Sequence, residues 1–127
     1  MRNLLFLGLI VLFSCKKDRQ DLTNGTYKGT FKVSYTSGSN EGPVTLVISD
    51  GTYECSEDAD HIPGGGSGTF TQEKKTIVFD DENVHTADFD WNLILNGIYG
   101  YTFDGKHLKL VNDRVTGAYY EYDVEKQ

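Results

Sequence analysis

Apolar and polar residues alternate along most of the chain from residue 25 onward. A period of two is the pattern of a β-strand with one buried face. The first strand begins at Gly25, and its inward series is Tyr27, Gly29, Phe31, Val33 and Tyr35. Val44, Leu46 and Ile48 form the next series, and the strong hairpin signal Asp50-Gly51 then leads to Tyr53 and Cys55.

The segments between these strands are predicted from their content of glycine and small polar residues. Ser37 to Gly42 is predicted to be a turn. Asp58 to Gly68 is the longest irregular stretch and contains Pro63-Gly-Gly-Gly66, so we expect a mobile loop there. Short strands are predicted at 69–72 and 76–79, followed by an acidic connection over 80–85.

In the fifteen residues 89–103, every second position is apolar or glycine. These positions are Phe89, Trp91, Leu93, Leu95, Gly97, Tyr99, Tyr101 and Phe103. A two-residue hairpin at Asn96-Gly97 would move the later residues to the opposite face. The unbroken parity therefore favours one long strand, and since strands rarely exceed ~10 residues it should be kinked near Asn96-Gly97 or Gly100.

The last part of the chain adds the turn Asp104-Gly105, the inward pair Leu108 and Leu110, and a final strand over 116–124. We therefore count eight strands joined by turns, with no convincing helix. This predicts an all-β domain over residues 25–127, either a sandwich or an up-and-down antiparallel barrel. A meander of hairpins favours the single eight-stranded barrel, because closure removes exposed edge strands.

The first fourteen residues follow a different pattern. Arg2 provides a positive start, and Leu4 to Phe13 is an unbroken apolar run. A bilayer-spanning helix needs about 20 apolar residues, so this run fits the core of a secretory signal peptide over 1–14 instead. An ordinary signal whose following cysteine is coincidental is the simpler alternative.

Leu12-Phe13-Ser14-Cys15 resembles the lipobox of bacterial lipoprotein signals. The resemblance implies cleavage before Cys15 and acylation of that residue, which would anchor the protein to a membrane. Residues 15–24 would then be the lipidated N-terminus and a polar tether. Charged residues directly after the cysteine, as in Lys16-Lys17-Asp18, resemble those of lipoproteins sent to the outer membrane of the cell envelope or exported to the cell surface.

Charge narrows the range of partners. The signal contains one of the 12 basic residues and none of the 19 acidic residues, so the remainder has 11 against 19, a net charge of −8. Such a surface repels nucleic acid and anionic lipid headgroups. We therefore expect no nucleic-acid partner and membrane attachment through acyl chains alone. We also expect the domain to be a monomer.

Cys55 remains as the second of two cysteines once Cys15 is assigned to the anchor, so no intramolecular disulfide is expected. It could be a reactive thiol. Its alternation with Tyr53 on an apolar face favours a small buried side chain instead.

Gly25-Thr-Tyr-Lys-Gly29 resembles the Gly-x-Trp start of lipocalin and calycin barrels, with Tyr27 in place of the tryptophan. The residues from Leu95 to Tyr101 and from Asp104 to Leu110 resemble those of small lipocalin-like lipoproteins. The Thr-Asp-Tyr motif of typical lipocalins is missing. The resemblance implies a lipocalin-like barrel with an open end, and it implies no particular ligand.

Candidate catalytic chemistry is sparse. His61, His85 and His107 are scattered, and the acidic residues near His61 and His85 lack the spacing of a zinc site or a calcium loop. Pro63-Gly-Gly-Gly66 does not open a helix, which argues against a phosphate loop. We therefore predict no enzyme activity, no metal site and no cofactor.

The aromatic residues suggest two functions for the domain. An eight-stranded barrel has an interior that side chains just fill or that holds one small ligand. The first is binding of a small apolar or amphipathic ligand in a cavity inside the barrel. Such a cavity would be lined by Tyr27, Phe31, Tyr35, Tyr53, Trp91, Tyr99 and Tyr101. The alternative is a filled barrel that contacts a protein or glycan through its loops, the 58–68 loop above all.

Overall fold

The computed structural model describes residues 20–127, and they form a closed barrel of eight antiparallel strands in which each strand pairs with its neighbours in sequence. The predicted signal peptide and Cys15 lie outside the described residues. The strands are β1 Gly25–Tyr35, β2 Gly38–Ser49, β3 Thr52–Glu57, β4 Gly64–Gln72, β5 Thr76–Asp81, β6 Gly97–Phe103, β7 His107–Asn112 and β8 Ala118–Lys126. The all-β fold class and the eight-stranded barrel predicted from the sequence are therefore confirmed.

Closure depends on the first and last strands, which pair over nine positions from Tyr27–Lys126 to Tyr35–Ala118. The buried residues of all eight strands meet in one core inside the barrel. Two glycines allow neighbouring strands to approach closely, since a Cβ at Gly29 would collide with the backbone carbonyl of Asp123 and one at Gly68 with that of Asp80.

The prediction of one long strand over 89–103 is wrong. Residues 82–96 connect β5 to β6 and contain a short 3₁₀ helix, Trp91–Leu93, and the strand begins only at Gly97. Asp90 accepts a hydrogen bond from the backbone N–H of Asn92 and caps this helix. Leu93 and Leu95 are buried although their backbone is not in a strand. Their spacing of two residues therefore matches the alternation of a strand only by coincidence.

The prediction of a mobile loop over 58–68 is wrong in its second half. A 3₁₀ turn, Ala59–His61, follows Asp58, but Gly64, Gly65 and Gly66 already belong to β4 and are buried. The turn before β2 is also shorter than predicted, because Gly38 starts the strand.

The meander gives the barrel two different ends. At the first, here called the N-terminal end, residues 20–24 lie beside the turns at 50–51, 73–75 and 104–106. At the second, the loop end, are the connections 36–37, 58–63, 82–96 and 113–117. Residues 20–24, assigned to the tether from the sequence, pack on the barrel, because Leu22 contacts the core and its N–H donates to Gln72.

Candidate functional site

Four of the seven residues predicted to line a ligand cavity lie inside the barrel. Tyr27, Phe31, Tyr53 and Tyr99 are buried on the inner face. Tyr101 is half-buried at the N-terminal end, where its hydroxyl donates to the carbonyl of Glu73 and accepts from Gln72.

The other two predicted lining residues lie elsewhere. Trp91 is 53% exposed on the 82–96 connection, where its Nε1 donates to the carbonyl of Thr86. Its predicted position on the inner face of a strand is therefore wrong. Tyr35 is 37% exposed at the last position of β1, opposite Ala118. Both belong to the loop end and not to the interior.

Aromatic rings fill the interior by packing against one another. Phe31 contacts Tyr122 with ring centroids 4.6 Å apart, and Tyr53 contacts Phe79 at 4.8 Å. Tyr99 joins the two pairs, because it packs on Phe79 at 5.8 Å and on Tyr122 at 5.7 Å. Edge and tilted contacts of this kind stabilise a core beyond simple burial.

Both ends of the barrel are covered. At the N-terminal end the hydroxyl of Tyr27 donates to the carbonyl of Thr23, 2.6 Å away. At the loop end Tyr53 donates to the carbonyl of Leu95 at 2.6 Å, and the N–H of Leu95 donates to Gly65 at 2.9 Å. These two bonds hold the buried residues Leu93, Ile94 and Leu95 over the opening.

Glycines in β4 allow this close contact. A Cβ at Gly64 would lie 3.0 Å from the ring of Phe89, and one at Gly66 would lie 3.0 Å from the carbonyl oxygen of Leu95. Gly66 also has a φ of +134°, which disfavours any side chain. The glycine run that suggested a loop in the sequence therefore serves as a surface on which the 82–96 connection packs.

Two histidines anchor the long connections to the strands before them. Nδ1 of His61 lies 2.6 Å from a carboxylate oxygen of Glu57, and Nε2 of His85 lies 2.6 Å from one of Asp81. Phe89 lies between the two imidazoles, stacked on His61 and edge-on to His85. Asp60 and His61 both have a φ of 60°, a left-handed conformation that these contacts help to hold. Beyond the i, i+4 spacing of each pair, no pattern in the sequence predicts this arrangement.

Acidic residues are concentrated at the loop end. Its connections contain six acidic residues and the single base Arg114; the acids are Asp58, Asp60, Glu82, Asp88, Asp90 and Asp113. The N-terminal end is nearly balanced, with Asp21, Asp50, Glu73 and Asp104 against Lys74, Lys75 and Lys106. Most of the negative charge that lies outside the strands is therefore at one end of the barrel.

The loop end also presents a groove and exposed apolar side chains. The groove has a volume of about 380 Å³ and is lined by polar and small residues that include Glu54, Glu57, Gly65, Asn83, Val84 and His85. The side chain of Val84 is 97% exposed, and Trp91 contacts His85 at a ring distance of 6.2 Å. An acidic groove beside an aliphatic and an aromatic side chain suits a ligand that is both cationic and partly apolar.

The buried thiol and phenols have the environment of a core. Cys55 is buried, and burial raises its pKa to about 12. Desolvation likewise raises the pKa of Tyr120 to about 12, and the nearby carboxylate of Asp90 adds to the rise. The buried position predicted for Cys55 is confirmed, and a thiol held neutral in this way is a poor nucleophile.

No three His, Cys, Asp or Glu side chains within residues 20–127 are placed to share a metal ion. The same residues include no helix of the length and apolarity needed to cross a bilayer. Comparison with known proteins gives no match to a family model, to a curated protein or to a solved structure.

Proposed function

We propose that the protein is a lipid-anchored module of the cell envelope whose filled barrel presents its loop end to a positively charged protein surface. The observation that carries the proposal is the placement of the two ends. Gln20, the first described residue, lies at the N-terminal end beside Gly105 and Gln72. The acidic connections lie at the opposite end.

The positions of the two ends determine how the barrel would be oriented if the chain were anchored at Cys15. Gln20 lies five positions after Cys15 in the chain. A fully extended chain covers at most about 3.6 Å per residue, so the N-terminal end would stay within roughly 18 Å of the lipid surface. The loop end would then face away from the membrane, where a partner can approach it.

The filled interior favours surface binding over transport of a ligand. The inward residues of the strands pack ring against ring, and both ends are covered by chain that is hydrogen-bonded to the strands. The resemblance to lipocalins therefore extends to the barrel architecture, while binding is assigned to the loop end. Its charge favours a partner rich in lysine and arginine and disfavours nucleic acid.

Trp91 provides a direct assay, because it is the only tryptophan of the chain and lies half-exposed at the loop end. A soluble chain beginning at Lys16 would be titrated with a ten-residue lysine peptide and followed by tryptophan emission. We expect a saturable change that weakens as salt is raised, and no change with a ten-residue glutamate peptide. No response to the lysine peptide would overturn the proposal.

A matched pair of variants tests whether the charges at the loop end are responsible. Asp60→Asn, Glu82→Gln and Asp113→Asn together remove three exposed acids of the loop end. Asp50→Asn, Glu73→Gln and Asp123→Asn remove three exposed acids elsewhere. We expect the first variant to weaken binding at least tenfold and the second to weaken it about twofold or less. Equal effects would show that only net charge matters and would contradict a site at the loop end.

The same pair can be tested in cells. Photo-cross-linking from position 84 should capture a basic protein in the wild type and in the control variant, and lose it in the loop-end variant. Capture of a glycan alone would replace the protein partner with a carbohydrate.

A further inference from the structure

Two histidines at the loop end each lie against a carboxylate four residues earlier in the chain. Nδ1 of His61 is 2.6 Å from Glu57, the last residue of β3, and Nε2 of His85 is 2.6 Å from Asp81, the last residue of β5. At this distance the imidazole nitrogen carries a proton and donates it in a hydrogen bond to the carboxylate. The other nitrogen of each ring has no hydrogen bond within residues 20–127. Each imidazole can therefore take up a second proton and keep its contact.

Both rings are accessible to solvent, which supplies that proton. The side chain of His61 is 33% exposed and that of His85 is 17% exposed. Histidine is the side chain that ordinarily changes its charge between pH 5 and 8. Protonation turns each contact from a hydrogen bond between a neutral ring and an anion into an ion pair whose charges cancel.

The other charged groups that face these rings are acidic. Asp88 lies close enough to His61 to interact with it electrostatically, and the groove beside His85 is lined by glutamates. Around His61 the acids are Glu57, Asp58, Asp60 and Asp88, and around His85 they are Asp81, Glu54 and Glu57. A proton taken up by either ring therefore adds a positive charge within the acidic surface that the proposed function uses.

The change in charge is large for so small a surface. The loop-end connections together with Glu57 and Asp81 contain eight acids against the base Arg114, a net charge of −7 with both histidines neutral. With both histidines protonated the net charge is −5. The attraction for a cation falls accordingly, because it depends on the charge that the cation meets.

We propose that His61 and His85 make cation binding at the loop end dependent on pH, so that a positively charged partner is held at neutral pH and released below about pH 6. This inference rests on the proposed function and adds its regulation. The lysine and arginine side chains of the partner keep their charge over this range, so the change comes from this chain alone.

Binding at two pH values tests the inference. The chain beginning at Lys16, which retains the whole barrel, would be titrated with the ten-residue lysine peptide at pH 7.5 and at pH 5.5 and equal ionic strength. We expect its dissociation constant to be at least about fivefold higher at pH 5.5. The ratio of the two constants is the quantity compared among variants, because it removes any loss of affinity that a substitution causes at both pH values.

The variant that should lose this ratio combines His61→Asn with His85→Gln. Each amide nitrogen replaces the ring nitrogen that contacts the carboxylate and donates to it without acquiring charge. Asparagine also tolerates the left-handed conformation at position 61, where φ is 60°. We expect the ratio in this variant to fall below about twofold.

His107→Gln is the matched control. Nε2 of His107 lies 3.6 Å from Glu125 at the N-terminal end, so the substitution removes a histidine beside a carboxylate outside the loop end. It should keep the wild-type ratio. A wild-type ratio below twofold, a ratio retained by the double variant, or an equal loss in the control would overturn the inference and leave the proposed function intact. No binding at either pH would refute the proposed function and this regulation with it.

Nuclear magnetic resonance of the free protein provides a test without the peptide. The ring protons of His61 and His85 should shift between pH 7.5 and 5.5 as both imidazoles gain a proton. Either ring keeping one protonation state over this range would overturn the inference, whatever the peptide does.

Discussion

The imidazole of His61 lies flat on the ring of Phe89, with centroids 3.9 Å apart and planes inclined by 12°. His61 belongs to the connection between β3 and β4, and Phe89 belongs to the connection between β5 and β6. This single contact therefore joins the two longest connections of the loop end. Each connection is also held to the strand before it by a contact between a histidine and a carboxylate. The two connections therefore form one packed structure instead of two independent loops.

Replacing Phe89 tests whether its contact with His61 holds the two connections together. We expect Phe89→Ala to lower the free energy of unfolding by about 1–3 kcal/mol, because a half-buried ring that packs on Gly64 and His61 is lost. Amide exchange measured by mass spectrometry should increase in residues 58–63 as well as in 82–96. Phe89→Leu, which keeps apolar bulk without a stacking ring, should lose less stability. Faster exchange confined to 82–96 would show that the two connections are independent.

The glycines of the strands should differ sharply in their tolerance of a methyl group. Gly29→Ala places a Cβ against the backbone of β8 and should reduce the free energy of unfolding by about 3 kcal/mol or more. Gly100→Ala is the matched control, since the nearest atom to its Cβ would be the carbonyl oxygen of Val111 at 3.9 Å. It should be neutral or stabilising by up to about 1 kcal/mol. Urea denaturation gives both values, and equal losses would contradict the close approach of β8 to Gly29.

The sequence predicted the barrel because its strands carry clean alternation and its turns carry strong signals. The first strand and the Asp50-Gly51 turn show this best, since both lie where the pattern predicts them. The prediction for residues 89–96 is wrong because Leu93 and Leu95, two residues apart, are buried by packing over the open end of the barrel. A local pattern of alternate apolar residues cannot distinguish this kind of burial from that of a strand.

The candidate site was less accessible to sequence analysis for the same reason. Gly64 to Gly66 have the composition of a loop, and only the chain packed on them explains why a strand contains three consecutive glycines. The contact of Phe89 with His61 joins residues 28 positions apart, which no periodicity encodes. The alternation predicts which tyrosines point inward, but the ring contact between Tyr99 and Tyr122 across the interior depends on the full geometry of the core.

Anchoring should depend on Cys15 alone. Cys15→Ser is expected to abolish incorporation of labelled palmitate and to leave the predicted signal uncleaved at this junction, because the thiol that the lipobox resemblance makes the acylated group is removed. The net charge of −8 offers no electrostatic attachment to a membrane in its place. Metabolic labelling and fractionation of the envelope measure both effects. Continued labelling of the Cys15→Ser protein would identify Cys55 as an acylation site and refute the assignment.

Shortening the chain should reveal where the tether ends. A chain beginning at Lys16 should fold as a monomer with full stability, because it retains Gln20 to Asn24. A chain beginning at Gly25 loses the packing of Leu22 and the partner of the Tyr27 hydroxyl, and we expect its free energy of unfolding to fall by about 2–4 kcal/mol. Equal stability of the two chains would show that residues 20–24 contribute nothing to the barrel.

Alkaline pH should destabilise the fold through Cys55. Its pKa is raised to about 12 in the folded protein and lies near 8.5 in an unfolded chain, so the folded state binds the thiol proton more tightly. The stability due to this group is complete below about pH 8.5 and is lost as the pH rises toward 12, at up to about 1.4 kcal/mol per pH unit. Urea unfolding of the Lys16 chain between pH 7.5 and 10 measures the slope, and Cys55→Ala should flatten it. An unchanged slope in that variant would assign the effect to other groups.

The pairing of β1 with both β2 and β8 has a mechanical consequence. A load between an anchor at the N-terminus and a partner at the loop end would run along β1, which spans the barrel from one end to the other. Eleven pairs hold this strand to β2 and nine hold it to β8, and the hydrogen bonds of an antiparallel ladder lie across the strand direction. Pulling on β1 would therefore load the hydrogen bonds of both ladders together instead of breaking them one after another. This geometry suits a protein that must keep its fold while it holds a partner under tension.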